Sequence, residues 1–371
     1  MIVRPLCVLA LLIGGLALSP ASARLAPAPA DPAAYVPPIR HVFVINIENK
    51  GYDETWGDDS AAPYLAKTLR KQGVLLDDYY GTAHNSQPNY VAQISGQGPN
   101  PQMQADCQLF SKFARTTTQA PDQAVGTGCV FPADVPTLPR QLTDAGLTWK
   151  GYMQDMVRPC QHPDLGAPDP TQHATAKDNY AARHNPFIYF RSIIDHRGYC
   201  KRHVVPLGQL RHDLKHVGTT PHLSYITPDL CNDGHDAPCA NGAAGGLKAV
   251  NTWMKEWVPR ILRSPAFKKD GVLVITADES DGPQEDATAC CGPAMSANSP
   301  LPGIVGPGGG KIGALLISRF ITPGSWSTSP YNHYSLLGSM EEIFGVRKLG
   351  YARDPGVETF GLDVYNSGWQ N

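Results

Sequence analysis

The chain has 371 residues and carries 31 Lys and Arg against 33 Asp and Glu, a formal net charge of −2. Near-neutrality of this kind excludes a protein held to nucleic acid by its overall field. The 36 Gly and 34 Pro describe many ordered loops around a core rather than long helices, and the length fits one large α/β domain.

Arg4 is followed by an apolar run from Leu6 to Leu18 and by the small residues Ala21, Ser22 and Ala23. This is the pattern of a secretory signal peptide, cleaved after Ala23. The run is short for a bilayer span, and no later segment approaches the roughly 20 apolar residues that a transmembrane helix needs. The expectation is a secreted or periplasmic protein without stable membrane insertion. Cys7 leaves with the signal, so eight of the nine cysteines remain for an oxidising compartment. Cys107 with Cys129, Cys160 with Cys200, and Cys231 with Cys239 are the short-range pairings, which leaves the adjacent Cys290 and Cys291 without an evident partner. Residues 24–39 read as an extended Ala/Pro-rich lead-in, and 40–371 as a single domain with loop insertions near 97–136 and 159–220.

The segment HVFVINIEN (41–49) reads as a strand buried on both faces. A helix over Pro63–Gln72, a strand over 74–81 and a helix over Pro88–Ser95 follow, the last opened by Pro and closed by Gly96. Beyond the 97–136 insertion come a helix over Leu138–Ala145 and a strand over 147–156. Segment 159–220 is irregular and rich in histidine, a loop layer with short helices. Strands at 223–229, 271–279 and 312–320 alternate with helices at Gly246–Leu262 and Tyr334–Phe344. The glycine-rich run Gly303–Gly313 lacks the Lys-Ser or Lys-Thr of a phosphate-binding loop and reads as a flexible loop. Alternating strands and helices predict a mostly parallel sheet covered on both faces.

Two of these strands end in oxygen-bearing pairs, Glu48 with Asn49 and Asp278 with Glu279. Ligands gather beyond the carboxyl ends of strands in open α/β sheets. Three carboxylates brought together repel unless a cation separates them, and an all-oxygen set suits a hard divalent ion. Ser86 falls where a strand gives way to a helix, at a helix N-terminus that favours anions. Its alternative role is that of a plain helix cap; beside a metal ion the same hydroxyl becomes a candidate nucleophile. Asn89 follows one turn later, within reach of the same oxygen. His84, His184, His235 and His333 all occupy turn-rich contexts. They are either surface residues or groups that bind phosphate oxygens and protonate a leaving alkoxide. Asp233 and Asp236 flank His235 as ligands, as orienters of its ring, or as parts of an Asx turn.

ENKGYDETWG, SQPNYVAQISG, HNPF, TPDLCNDGHD, VLVITADE and NHYSLLGSMEEIFG, in this order over about residues 40 to 346, resemble the bacterial and fungal phosphoesterase family of secreted acid phosphatases and phospholipases C. The Ser-x-Pro-Asn segment is closer to the acid phosphatase branch. The resemblance implies an alkaline-phosphatase-like three-layer α/β sandwich and one divalent ion, Mg²⁺, Ca²⁺, Mn²⁺ or Zn²⁺. Its ligands would be Glu48, Asn49, Ser86, Asp278 and Glu279. It further implies Ser86 as nucleophile, with phosphate-contacting roles for Asn89, His235 and His333 and, by a weaker motif match, for His184. His84, beside the serine, joins them as a substrate-binding candidate, and His235 and His333 are the candidate acids. The expected activity is metal-dependent hydrolysis of phosphate monoesters, phosphoinositides among the candidates, through a phosphoserine. The alternative is a phospholipase C acting on lipid head groups. The substrate is thus a small-molecule or lipid phosphate ester.

Overall fold

Valine, isoleucine and leucine fill HVFVINI and GVLVITA, and every residue of both segments is buried. Successive strand side chains point to opposite faces, so both faces of the sheet are covered there. The computed structural model describes residues 1–2 and 36–367. Apart from residues 1–2, the predicted signal peptide lies outside the described residues, as does most of the lead-in. The chain divides into a unit Met1–Ala34 and a unit Tyr35–Asn371, and the second is described here.

Its eight-stranded sheet uses β1 (His41–Ile47), β2 (Val74–Leu76), β3 (Trp149–Met153), β4 (Val204–Pro206), β5 (Leu223–Thr227), β6 (Gly271–Ala277), β7 (Ala314–Ser318) and β8 (Ser325–Ser327). The order is β8-β2-β7-β6-β1-β5-β3-β4. Only β7 opposes its neighbours; the other pairings are parallel. The main helices are α1 (Ser86–Ser95), α2 (Leu138–Asp144), α3 (Gly246–Arg263) and α4 (His333–Phe344). In α3 the buried residues Leu247, Val250, Trp253, Met254, Trp257, Val258 and Ile261 recur at three- and four-residue spacing and form its inward stripe. Asn332 caps α4 in a reciprocal box with Ser335, an arrangement that contributes about 1 kcal/mol.

The chain departs from expectation at several places, among them an antiparallel hairpin of Ala114–Gln119 with Gln123–Thr127 inside the segment read as a loop. The predicted strand 74–81 stops at Leu76, and Tyr79–Tyr80 pairs separately with Tyr331–Asn332. The irregular segment 159–220 supplies an edge strand, β4, too short to betray itself by periodicity. The glycine run is not a free loop. Gly309 donates to Gly81 O at 3.0 Å and Gly81 donates to Gly310 O at 2.9 Å, while a Cβ on Gly309 would lie 2.2 Å from Ala83 O. Glycine here permits two backbones to touch beneath the 82–86 turn. Gly309→Ala is accordingly expected to lower both thermal midpoint and kcat, by about 1–3 kcal/mol in stability; parental melting and turnover would contradict the contact. All three predicted disulfides form, and Cys290 is joined to Cys291.

Candidate active site at the strand ends

Register brings the two acidic pairs together. Asn46 stands opposite Thr276 and Ile47 opposite Ala277, so Glu48 and Asp278 leave the sheet side by side. Asp278 N–H donates to Ile47 O at 3.0 Å, Lys50 N–H to Glu279 O at 3.0 Å, and Glu48 N–H to Asp233 O at 2.8 Å. Asp233 lies just beyond β5, and three strand exits converge.

Ser86 opens α1, and its Oγ donates to Glu48 Oε2 at 2.9 Å. Tyr90, one turn on, donates to Glu48 Oε1 at 2.5 Å. The helix cap is Asn85, whose side chain makes no capping bond; instead the Gln87 amide donates to Asp106 Oδ1 at 3.0 Å. The serine hydroxyl is therefore not a plain cap. The helix end expected to meet an incoming anion already carries a carboxylate.

Asn49 Oδ1 and Asp278 Oδ2 are buried without a hydrogen-bond partner, although the Asn49 amide N–H donates to Asp278 Oδ1 at 3.1 Å. Burial, reinforced by Asp278 and Asp233, pushes the Glu48 carboxyl well above its usual range. Burial and then Glu279 do the same to Asp278, and burial and then Asp106 to Glu279. Orphaned acceptors among mutually repelling carboxylates are what a bound cation relieves, and this donor set fits a hard divalent ion. Glu48, His184 and Asp233 form a second, overlapping group that could hold a metal ion, with ligand atoms within 4.8 Å of one another. His184 Nδ1 lies 3.2 Å from Asp233 Oδ2; Nε2, which has no hydrogen-bond partner, lies 3.4 Å from Glu48 Oε1.

His84, Asn89, His184 and His333 are buried in hydrogen-bonded positions around the strand ends. His333 is fully buried, with Nε2 2.6 Å from Asp278 O and Nδ1 3.1 Å from Tyr79 Oη. A carbonyl only accepts, so the proton sits on Nε2 and the ring fixes the backbone of Asp278. Burial lowers its pKa to about 4. His84 places Nε2 2.9 Å from Asp286 O and turns Nδ1 to Glu279 Oε2, which makes it an orienter of that carboxylate. Asn89 Oδ1 accepts from Thr82 N, Thr82 Oγ1 and Ala83 N, and its Nδ2 donates to Ala83 O and Asn85 O. Its amide holds the turn ahead of Ser86. His184 is buried between two carboxylates rather than facing solvent. His235 alone of the four keeps an open edge, with its side chain 30% exposed. Its Nδ1 lies 2.8 Å from Asp236 Oδ1 and its Nε2 accepts from Arg183 Nη2 at 3.1 Å. Arginine is always a donor, which puts the ring proton on Nδ1.

Tyr90, Asp106 and Arg183 escape sequence reasoning. Tyr90 lies four residues after Ser86, a spacing that sets both on one helix face. Arg183 precedes His184 in ARHNPF, where a neighbour's role gives no hint of its own. Asp106 lies in the segment 97–136, and no local pattern links it to the helix it caps.

The sequence profile of the phosphoesterase family matches residues 58–347. The "Phosphate-repressible acid phosphatase" of Penicillium chrysogenum is 24% identical over 334 residues, 89% of this chain, which spans 65% of that protein's length. The "Phosphatidylinositol-3-phosphatase" of Mycobacterium tuberculosis is 24% identical over 323 residues, covering 86% of this chain and 82% of that protein. A solved protein of the alkaline phosphatase superfamily from Vibrio parahaemolyticus superposes with a TM-score of 0.50 at 12% identity, over 87% of this chain and 72% of the other. That likeness concerns the fold.

Proposed function

The chain belongs to the phosphoesterase family, and from that premise we propose that it is a metal-dependent phosphomonoesterase of the acid phosphatase type, with Ser86 as its nucleophile. The observation that carries the reading is the Ser86 hydroxyl, 2.9 Å from Glu48 Oε2, beside the unpartnered oxygens of Asn49 and Asp278. Glu48, Asn49, Ser86, Asp278 and Glu279 would hold the cation, with His84 steadying Glu279. When bound, such an ion favours the alkoxide form of a hydroxyl and offsets charge on phosphoryl oxygens.

The chain's own groups divide the remaining work. Glu48 Oε2 orients the Ser86 proton away from the substrate and can receive it as Oγ attacks phosphorus in line with the leaving oxygen. The phosphorus–oxygen ester bond breaks, and the departing alcohol is protonated from solvent at the open edge beside His235, whose two ring nitrogens are engaged by Asp236 and Arg183. Water then hydrolyses the phosphoserine and returns the hydroxyl. Glu48, Ser86, Asp278 and Glu279 are at most 3% exposed. Access is therefore from the half-buried side of Asn49, Lys50, His235 and Asp236.

Export fits the four disulfides, and the names of the relatives favour monoester substrates with phosphoinositides among them. Purified protein is expected to release phosphate from p-nitrophenyl phosphate and from phosphatidylinositol 3-phosphate, with no diacylglycerol from phosphatidylcholine. Diacylglycerol release without phosphate release would favour the phospholipase C alternative and overturn the monoesterase reading.

A further inference from the structure

The segment 97–136 contacts the chain on both sides of Ser86. Gln104 O accepts from Asn85 Nδ2 at 2.8 Å, and Asp106 Oδ1 accepts from the Gln87 amide at 3.0 Å. Asp106 stands in for the missing cap of α1, because Asn85 makes no side-chain capping bond of its own. A carboxylate is well suited to that place, at the positive end of the helix dipole. Its other oxygen faces Arg183 Nε at 3.6 Å. Arg183 in turn donates through Nη1 to Gln172 O at 3.0 Å and through Nη2 to His235 Nε2 at 3.1 Å. One side chain thus touches both the helix turn that bears Ser86 and the arginine that sets the proton of His235.

Asp106 is itself held firmly. Its amide donates to Met103 O at 2.9 Å, and its carbonyl accepts from Gln172 Nε2 at 3.1 Å. The next residue, Cys107, is tied to Cys129 by a disulfide. Both Asp106 and Cys107 adopt left-handed backbone, φ 52° and 49°, a conformation that only a closely determined turn retains.

We propose that Asp106 is a positioning residue for the nucleophile, supplied by the segment 97–136: it fixes the first turn of α1 so that the Ser86 hydroxyl meets Glu48, and it anchors Arg183 against His235. The inference rests on Ser86 being the nucleophile. It does not require Asp106 to touch the substrate.

The test compares Asp106→Ala, Asp106→Leu and Asp106→Asn in the full chain on p-nitrophenyl phosphate, with melting curves for each. Loss of the cap without loss of the site should lower kcat about 10- to 100-fold while KM stays within about threefold, since small misplacement of a reacting group is costly to the chemical step. Asp106→Asn keeps an acceptor for Gln87 but turns an NH2 group toward Arg183 Nε, so it should retain clearly more kcat than the Ala and Leu variants without reaching the parent. A folded Ala or Leu variant with parental kcat overturns the proposal. So does failure of both to fold while Asp106→Asn works normally, because the role is then one of stability alone. An inactive Ser86→Ala with a fully active Asp106→Ala removes this inference and spares the nucleophile assignment. An active Ser86→Ala removes both.

Discussion

Ser86→Ala is expected to lower kcat at least about 10³-fold on p-nitrophenyl phosphate, because removing the attacking group of a covalent mechanism leaves only binding and charge stabilisation. The cost to the fold should be small. Ser86 contributes one hydrogen bond, to Glu48 Oε2 at 2.9 Å, worth about 1 kcal/mol, and Glu48 keeps its bond from Tyr90. Its helix does not depend on the hydroxyl, since Asp106 supplies the cap. Turnover and melting temperature therefore separate cleanly. If Ser86 were merely structural, activity would follow the folded fraction and return at low temperature. A folded variant with parental kcat would eliminate the phosphoserine route.

What the sequence makes legible here is what local rules determine. HVFVINIEN and GVLVITADE are read as strands because apolar, β-branched runs have few other solutions, and their polar ends follow automatically. Two parallel neighbours in register then place Glu48 beside Asp278. The histidines are a different matter. Turn-rich surroundings suggest exposure, yet His84, His184 and His333 lie buried against carboxylates or carbonyls, because loops from distant parts of the chain close over the sheet end. Pairs such as His84 with Glu279 or Asp106 with Gln87 join residues whose separation carries no periodic signal. Asp106 is the clearest case. Its function depends on a helix cap that Asn85 fails to provide, and that failure is visible only in three dimensions.

Metal removal is the second experiment with a large expected effect, and its pH dependence has a definite sign. Without a cation, burial and mutual repulsion hold Glu48, Asp233, Asp278 and Glu279 well above their ordinary carboxyl ranges. Carboxyls raised in the folded state bind more protons there than in the unfolded chain. Stability from them is full below the unfolded value, about 4, and is lost as pH rises through the folded values. Chelated protein should therefore be inactive, and its melting temperature should fall as pH is raised from 5 to 8. Returning a divalent ion should restore activity and raise the melting temperature more at pH 8 than at pH 5, since the cation replaces the protons that the carboxylates would otherwise retain. Titrating Mg²⁺, Ca²⁺, Mn²⁺ and Zn²⁺ separately into chelated protein, with elemental analysis of the reloaded product, gives both identity and count. One ion per chain favours the set around Ser86, and two would bring in the Glu48, His184 and Asp233 group. A melting temperature that ignores both chelation and the return of every ion would remove the cation from the site, and with it the reason these carboxylates are buried together.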